Sequence, residues 1–207
     1  MPREDAVIVN ALVRQALVAA QEVMGENGLN AILRNSGLER FIGNFPPNDM
    51  NPSIQTSQYA SLNAAIEEFY GRGGPGILKR IGKASFEYGL REQSALLGVA
   101  AGAALKLLPE RQRIKVILNQ VASALKKTNA QVEAWVDDSG EHVAYLESTC
   151  AICHSRTSEK PICHLYIGSI GEAVRWATGR EHVITETHCL AKGDPYCRFE
   201  VGEAKDA

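Results

Sequence analysis

What this chain has little of bounds it before any motif does. Positive charge is not in excess: 22 Lys and Arg stand against 24 Asp and Glu, for a net charge of −2. No basic footprint therefore points to nucleic acid or to an anionic membrane surface. Aromatic residues make up only 6%, and neither Trp135 nor Trp176 sits among lysines and arginines, which again disfavours nucleic acid. No apolar run reaches the roughly 20 residues that a bilayer span needs; the most apolar one, Leu96 to Leu108, is interrupted by Lys106. Glu4 and Asp5 stand where a secretory leader would be basic. A nucleophile elbow, a G-x-G-x-x-G after a strand and a paired-carboxylate motif are all missing. A cytoplasmic protein without a membrane span is the expectation, with its cysteines kept as thiols or metal ligands.

What is present suits a packed core: 45% of the 207 residues are hydrophobic and 22% are charged, far from the composition of a disordered chain. The N-terminal half reads as helices. Residues 4–24 carry an apolar stripe through Val9, Leu12, Val13, Ala16, Leu17, Ala20 and Val23, and Gly25 stops it. A short helix over Asn27 to Leu33 follows, then a turn-rich connection around Phe45-Pro46-Pro47-Asn48-Asp49. Helices are predicted over Tyr59–Tyr70, Ile77–Arg91 and Glu110–Lys127. Gly71 to Gly76 reads as a hinge, because a phosphate loop would continue with Lys-Ser/Thr. Gly98 and Gly102, four apart, would let two helices approach closely.

The period then changes to alternation. Gln131–Val136 and His142–Ser148 flank Asp137-Asp138-Ser139-Gly140, which is hairpin chemistry. From Pro161 to Val201 the chain reads as a helix beginning near Cys163 and ending at Gly179, then strands His182–Glu186 and Cys197–Val201 around Gly193-Asp194-Pro195. The expected fold class is α+β: a helical N-terminal half and a four-stranded antiparallel sheet packed with helices.

Chemistry concentrates in that last stretch. Cys163, Cys189 and Cys197 lie at its two ends, with Glu186 close by. Three thiols and a carboxylate are either a metal clip or ordinary buried groups. One geometric condition attaches to the clip. On a regular strand Glu186 and Cys189 point to opposite faces, so their meeting requires the strand to end or bulge near His188. Cys150 and Cys153 add a C-x2-C pair after the first hairpin. This pair reads as structural thiols, as half of a second site that Cys163 could join, or as a redox dithiol.

The pattern E-x2-C-x3-G-x3-C with an aromatic close behind, in Glu186, Cys189, Gly193, Cys197 and Phe199, and with Cys163 at the start of the preceding helix, resembles the 4-vinyl reductase domain. That domain occurs in bacteriochlorophyll-synthesis proteins, in sensor regions of aromatic-responsive activators and in small stand-alone proteins. It is related in fold to TRAPP tethering subunits and haem-based nitric oxide sensors. The resemblance implies zinc on Cys163, Glu186, Cys189 and Cys197, a closed shell that would tether helix to hairpin rather than catalyse.

It also implies a hydrophobic or aromatic ligand, hydrocarbon or tetrapyrrole, held by a sensor or carrier. Tyr88, Trp135, Tyr145, Tyr166 and Trp176 are the candidate pocket aromatics, and His142 and His164 the candidate polar anchors. The organisation expected is a dimerisation-type helical segment over 1–55, the ligand-binding domain over 56–203 and a frayed tail over 204–207, with the chain forming a homodimer. Two other readings stay open: a vinyl reductase of bacteriochlorophyll synthesis or its accessory factor, and a dimeric scaffold without ligand. The reductase needs a hydride source for which the chain carries no dinucleotide fingerprint.

Overall fold

The computed structural model describes residues 5–94, 104–128 and 131–205. The chain opens with a three-residue strand, β1 (Val7–Val9), antiparallel to β2 (Pro52–Gln55). The first helix therefore starts at Asn10 rather than at residue 4. The run Val7-Ile8-Val9 is β-branched throughout, and pairing with β2 satisfies backbone groups that a helix would otherwise have used. Helix α1 (Asn10–Asn35) contains Gly25 at φ 76°, ψ 167°, outside helical space. Two helical pieces thus meet at the glycine, as the sequence predicts.

Helices α2 (Thr56–Tyr70) and α3 (Gly74–Glu92) are joined by a single 3-10 turn, Gly71–Gly73. Helix α4 (Glu110–Thr128) buries Ile114, Ile117 and Leu118. The Gly98–Gly102 pair lies outside the described residues. The close approach that is seen involves other glycines: α3 crosses α5 (His164–Thr178) at Gly82 and Gly168. A Cβ on Gly82 would stand 2.0 Å from the Leu165 carbonyl oxygen, and one on Gly168 1.9 Å from that of Lys79.

Strands β3 (Ala134–Asp137), β4 (Val143–Glu147), β5 (His182–His188) and β6 (Cys197–Ala204) form an antiparallel sheet in the order β3-β4-β6-β5. The α+β class and the four strands are as predicted, and β6 continues three residues past Val201. Gly179, at φ 78°, ends α5 in the left-handed conformation that glycine adopts freely. Arg111, near the start of α4, donates to the carbonyls of Asp138, Gly140 and Glu141 at 2.9, 2.7 and 2.6 Å, fixing that helix to the β3–β4 turn.

Tyr145 on β4 lies opposite Phe199 on β6, and Tyr166 of α5 meets both rings edge-on, with centroids 6.3 and 5.7 Å away. This aromatic contact seats α5 on the sheet. Among the described residues, no helix is long and apolar enough to cross a membrane.

Candidate metal centre and cavity

Six side chains converge where α5 begins. Cys163 precedes the first residue of α5, Cys197 opens β6, and Cys189 follows β5 before a single turn, Leu190–Lys192. Cys150 and Cys153 arrive from the segment after β4, which Arg156 ties to α2 through an ion pair with Glu67. All five sulfurs are fully buried and unbridged. The parity condition on Glu186 and Cys189 is met by a bulge: the β5–β6 register slips between Glu186 and His188. One extra residue in the strand turns Cys189 toward the side that Glu186 already faces.

The spacing is that of a metal shell. A tetrahedral zinc with sulfur at about 2.3 Å holds neighbouring sulfurs about 3.8 Å apart. Here Cys163 Sγ lies 3.9 Å from Cys189 Sγ, 3.8 Å from Cys197 Sγ and 3.6 Å from Cys150 Sγ, while Cys153 and Cys197 are 3.6 Å apart. Two overlapping sets of donors result, Cys163-Glu186-Cys189-Cys197 and Cys150-Cys153-Cys163-Cys197, each with its ligand atoms within 4.8 Å of one another.

Glu186 is aimed by its neighbours: Oε2 accepts the Cys163 N–H at 2.8 Å, and Oε1 is buried without a hydrogen-bond partner. An orphaned carboxylate oxygen costs free energy unless something cationic or protic meets it. Burial, then the neighbouring Cys189, pushes the Glu186 carboxyl up to about 8, and burial pushes the Cys150 thiol up to about 12. Crowded thiols in this space ionise together only around a cation. Asp194 Oδ2 accepts the Cys189 N–H at 2.8 Å, and the Leu190 N–H points at Cys197 Sγ at 3.4 Å, so the hairpin turn orients both sulfurs. The run Cys150-x2-Cys153-His154 also has the spacing of covalent haem attachment, but both sulfurs face the cluster and His154 is buried against Asp5 at 3.6 Å.

Beside the cluster lies a cavity of about 130 Å³ between α1, α3, α4, α5 and β4. Its walls are mostly apolar, among them Leu12, Phe86, Val121, Leu125 and Ile170. Tyr145 and Tyr166 line it, as expected; Tyr88, Trp135 and Trp176 do not appear in its lining. Tyr88 accepts a hydrogen bond from Arg14 Nε at 3.2 Å. Trp135 is 40% exposed and packs edge-on against Tyr196, and Trp176 is partly buried against the core. His142 borders a shallower surface hollow beside Arg111. His164 is half-buried, its Nδ1 is without a partner, and burial lowers its affinity for a proton.

Sequence reasoning passed over two groups in this cavity. Glu147 accepts the Tyr145 hydroxyl at 2.9 Å, and burial raises its carboxyl to about 7. Its signal was available: a carboxylate on the apolar strand VAYLE, every residue of which is buried. Gln15, from α1, lines the cavity with its Oε1 buried and unpartnered. Within a helical stripe nothing distinguished it.

A helical layer on an antiparallel sheet, closed over a cavity and pinned by buried thiols, defines a single α+β architecture. Residues 141–203 of it match the 4-vinyl reductase domain, the family that the cysteine pattern resembles. An uncharacterized protein of Methanocaldococcus jannaschii is 31% identical over 68 residues, 33% of this chain; the match spans 38% of that protein's length. An Fe(II) unliganded H-NOX protein from K. algicida superposes with a TM-score of 0.61 at 10% identity, covering 97% of this chain and 98% of that one. An H-NOX protein from S. oneidensis in the Fe(II)NO ligation state gives 0.56 at 11% identity, covering 93% and 99%. Another H-NOX structure, determined to probe heme distortion, gives 0.57 at 11% identity, covering 97% and 98%. At these identities the likeness is one of fold, and it extends beyond the family match to nearly the whole chain.

Proposed function

We propose that the protein binds a small apolar or aromatic molecule as a sensor or carrier, with zinc on Cys163, Glu186, Cys189 and Cys197 bracing the cavity wall. The observation that carries the reading is an apolar cavity containing two buried polar groups, Glu147 and the unpartnered Gln15 Oε1. Such pockets select by shape and orient the ligand through a few polar contacts. A cavity of about 130 Å³ is close to the roughly 150 Å³ engineered cavity that takes benzene. One ring with a hydrogen-bond donor fits: its hydroxyl would donate to Gln15 while the ring packs against Phe86 and Ile170. A tetrapyrrole is several times larger and would have to part α4 from α5. The zinc shell has four protein donors and leaves no position for water, which favours a structural role over a catalytic one. Its chain ligands do the positioning: Cys163 holds the start of α5, and Tyr166, a cavity wall, lies in the first turn that follows.

Calorimetric titration with phenol, with toluene as the apolar control, tests the binding. Saturable phenol binding, weaker for toluene and weakened by Gln15→Leu, supports it. Absence of phenol binding, together with a tetrapyrrole retained on native mass spectrometry, would replace it with the pigment reading. The same spectrum reads the expected homodimer directly.

A further inference from the structure

We propose that the five cysteines and Glu186 hold two zinc ions, not one, and that the sulfurs of Cys163 and Cys197 are shared between them. This rests on the zinc reading above and extends it to Cys150 and Cys153. The two donor sets are not alternatives placed side by side; they have an edge in common, the Cys163–Cys197 pair with its sulfurs 3.8 Å apart. The contacts on either side are also edges of tetrahedral length: Cys150–Cys163 and Cys153–Cys197 at 3.6 Å belong to one set, and Cys163–Cys189 at 3.9 Å to the other. A thiolate has lone pairs for two metals, so a shared edge needs no further donor.

Counting unsatisfied groups separates one ion from two. An ion in the four-cysteine set would leave Glu186 buried at 6% exposure with Oε1 unmet, a costly orphan. An ion in the carboxylate set would leave Cys150 and Cys153 fully buried against the shell with no oxygen or nitrogen partner of their own among the hydrogen bonds seen. Two ions use every donor. The second one displaces two protons from two thiols as it binds, so its charge is matched by the thiolates it creates and the cluster keeps the net charge of the one-ion site. The second ion would also matter to the cavity, because Thr149 and Ala151 flank Cys150 and both line the cavity wall. The ion would fix that stretch where the ligand rests.

Elemental analysis and native mass spectrometry of the full chain, loaded with zinc and desalted, read the stoichiometry without reference to any activity. Two zinc ions per chain are expected, falling to one in Cys150→Ser/Cys153→Ser, and to one in Glu186→Ala/Cys189→Ser. Cadmium-113 substitution of the unaltered chain guards against variants that fail to fold. It should give two resonances, one from four sulfurs and one from three sulfurs and an oxygen, each split by the other through the shared sulfurs. One zinc at saturation overturns the two-ion centre while leaving the brace intact. No zinc overturns both. Iron with labile sulfide, or two ions that survive loss of Cys150 and Cys153, also defeats the proposal.

Discussion

The Tyr145 hydroxyl donates to Glu147 Oε2 at 2.9 Å, two residues along one strand, inside the cavity wall. Burial raises the Glu147 carboxyl from 4.5 to about 7, so the folded state holds its proton at pH values where the unfolded chain has released it. The sign follows. The stabilisation from this proton is complete below the unfolded value and is lost as pH rises through about 7. Urea unfolding of the zinc-loaded protein between pH 5 and 8 should show Glu147→Gln, which keeps the hydrogen bond without the charge, gaining on the wild type by up to about 3 kcal/mol. A difference that stays flat across this range would show that Glu147 is not buried as described.

Gly82 and Gly168 lie where α3 and α5 cross, and each would drive a Cβ into the other helix's backbone. Backbone cannot move aside as a side-chain tip can. Gly82→Ala and Gly168→Ala should each destabilise by about 1–3 kcal/mol or more. Gly76, in the same helix α3, has open space where a Cβ would stand, with nothing within 4 Å, so Gly76→Ala should instead stabilise by up to about 1 kcal/mol. Opposite signs in one helix are the outcome to look for in chemical denaturation. Equal effects would mean that the crossing is looser than described.

Chelation separates the brace from the rest of the fold. The N-terminal core of α1, α2 and α3 contains none of the six clustered donors, whereas the start of α5 and the β5–β6 turn are joined through them. Metal removal should therefore expose the amides of residues 160–197 to hydrogen exchange while those of α1 and buried α3 stay protected. Cys163→Ser and Cys197→Ser, which touch both donor sets, should lower the melting temperature more than Cys150→Ser. Uniform loss of protection would argue that the centre holds the whole core rather than one corner.

The helix–hairpin of the last fifth was legible because its punctuation is strong: Gly179 at a left-handed cap and Gly193 at φ 94° sit where only special backbone conformations serve. The ligand pattern on Cys163, Glu186, Cys189 and Cys197 was also legible, but the bulge that reconciles Glu186 with Cys189 was not. Alternation describes a regular strand, and a one-residue slip leaves no mark in composition. The same limit hid β1 and β2. Strands of three and four residues have too few positions to show a period, and Val9 fits a helical stripe equally well. Trp135 and Trp176 were drawn to the pocket by size, whereas the cavity is finished by Glu147 and Gln15, whose burial depends on tertiary neighbours.

The cavity can be closed from α4. Ala124 is 8% exposed and lines it together with Tyr166 and Ile170. Ala124→Leu adds three carbons into unfilled space, which does not incur the overpacking cost of a filled core, so stability should stay within about 1 kcal/mol of the wild type or rise. Phenol binding should fall at least tenfold, about 1.4 kcal/mol. Leu165→Ala enlarges the same space, should cost about 2–5 kcal/mol in stability, and should admit a two-ring phenol that the wild type rejects. Calorimetry with phenol and 2-naphthol on both variants reads the two effects in opposite directions. If Ala124→Leu leaves phenol binding untouched, the ligand site lies elsewhere on the molecule and this cavity is only a packing defect.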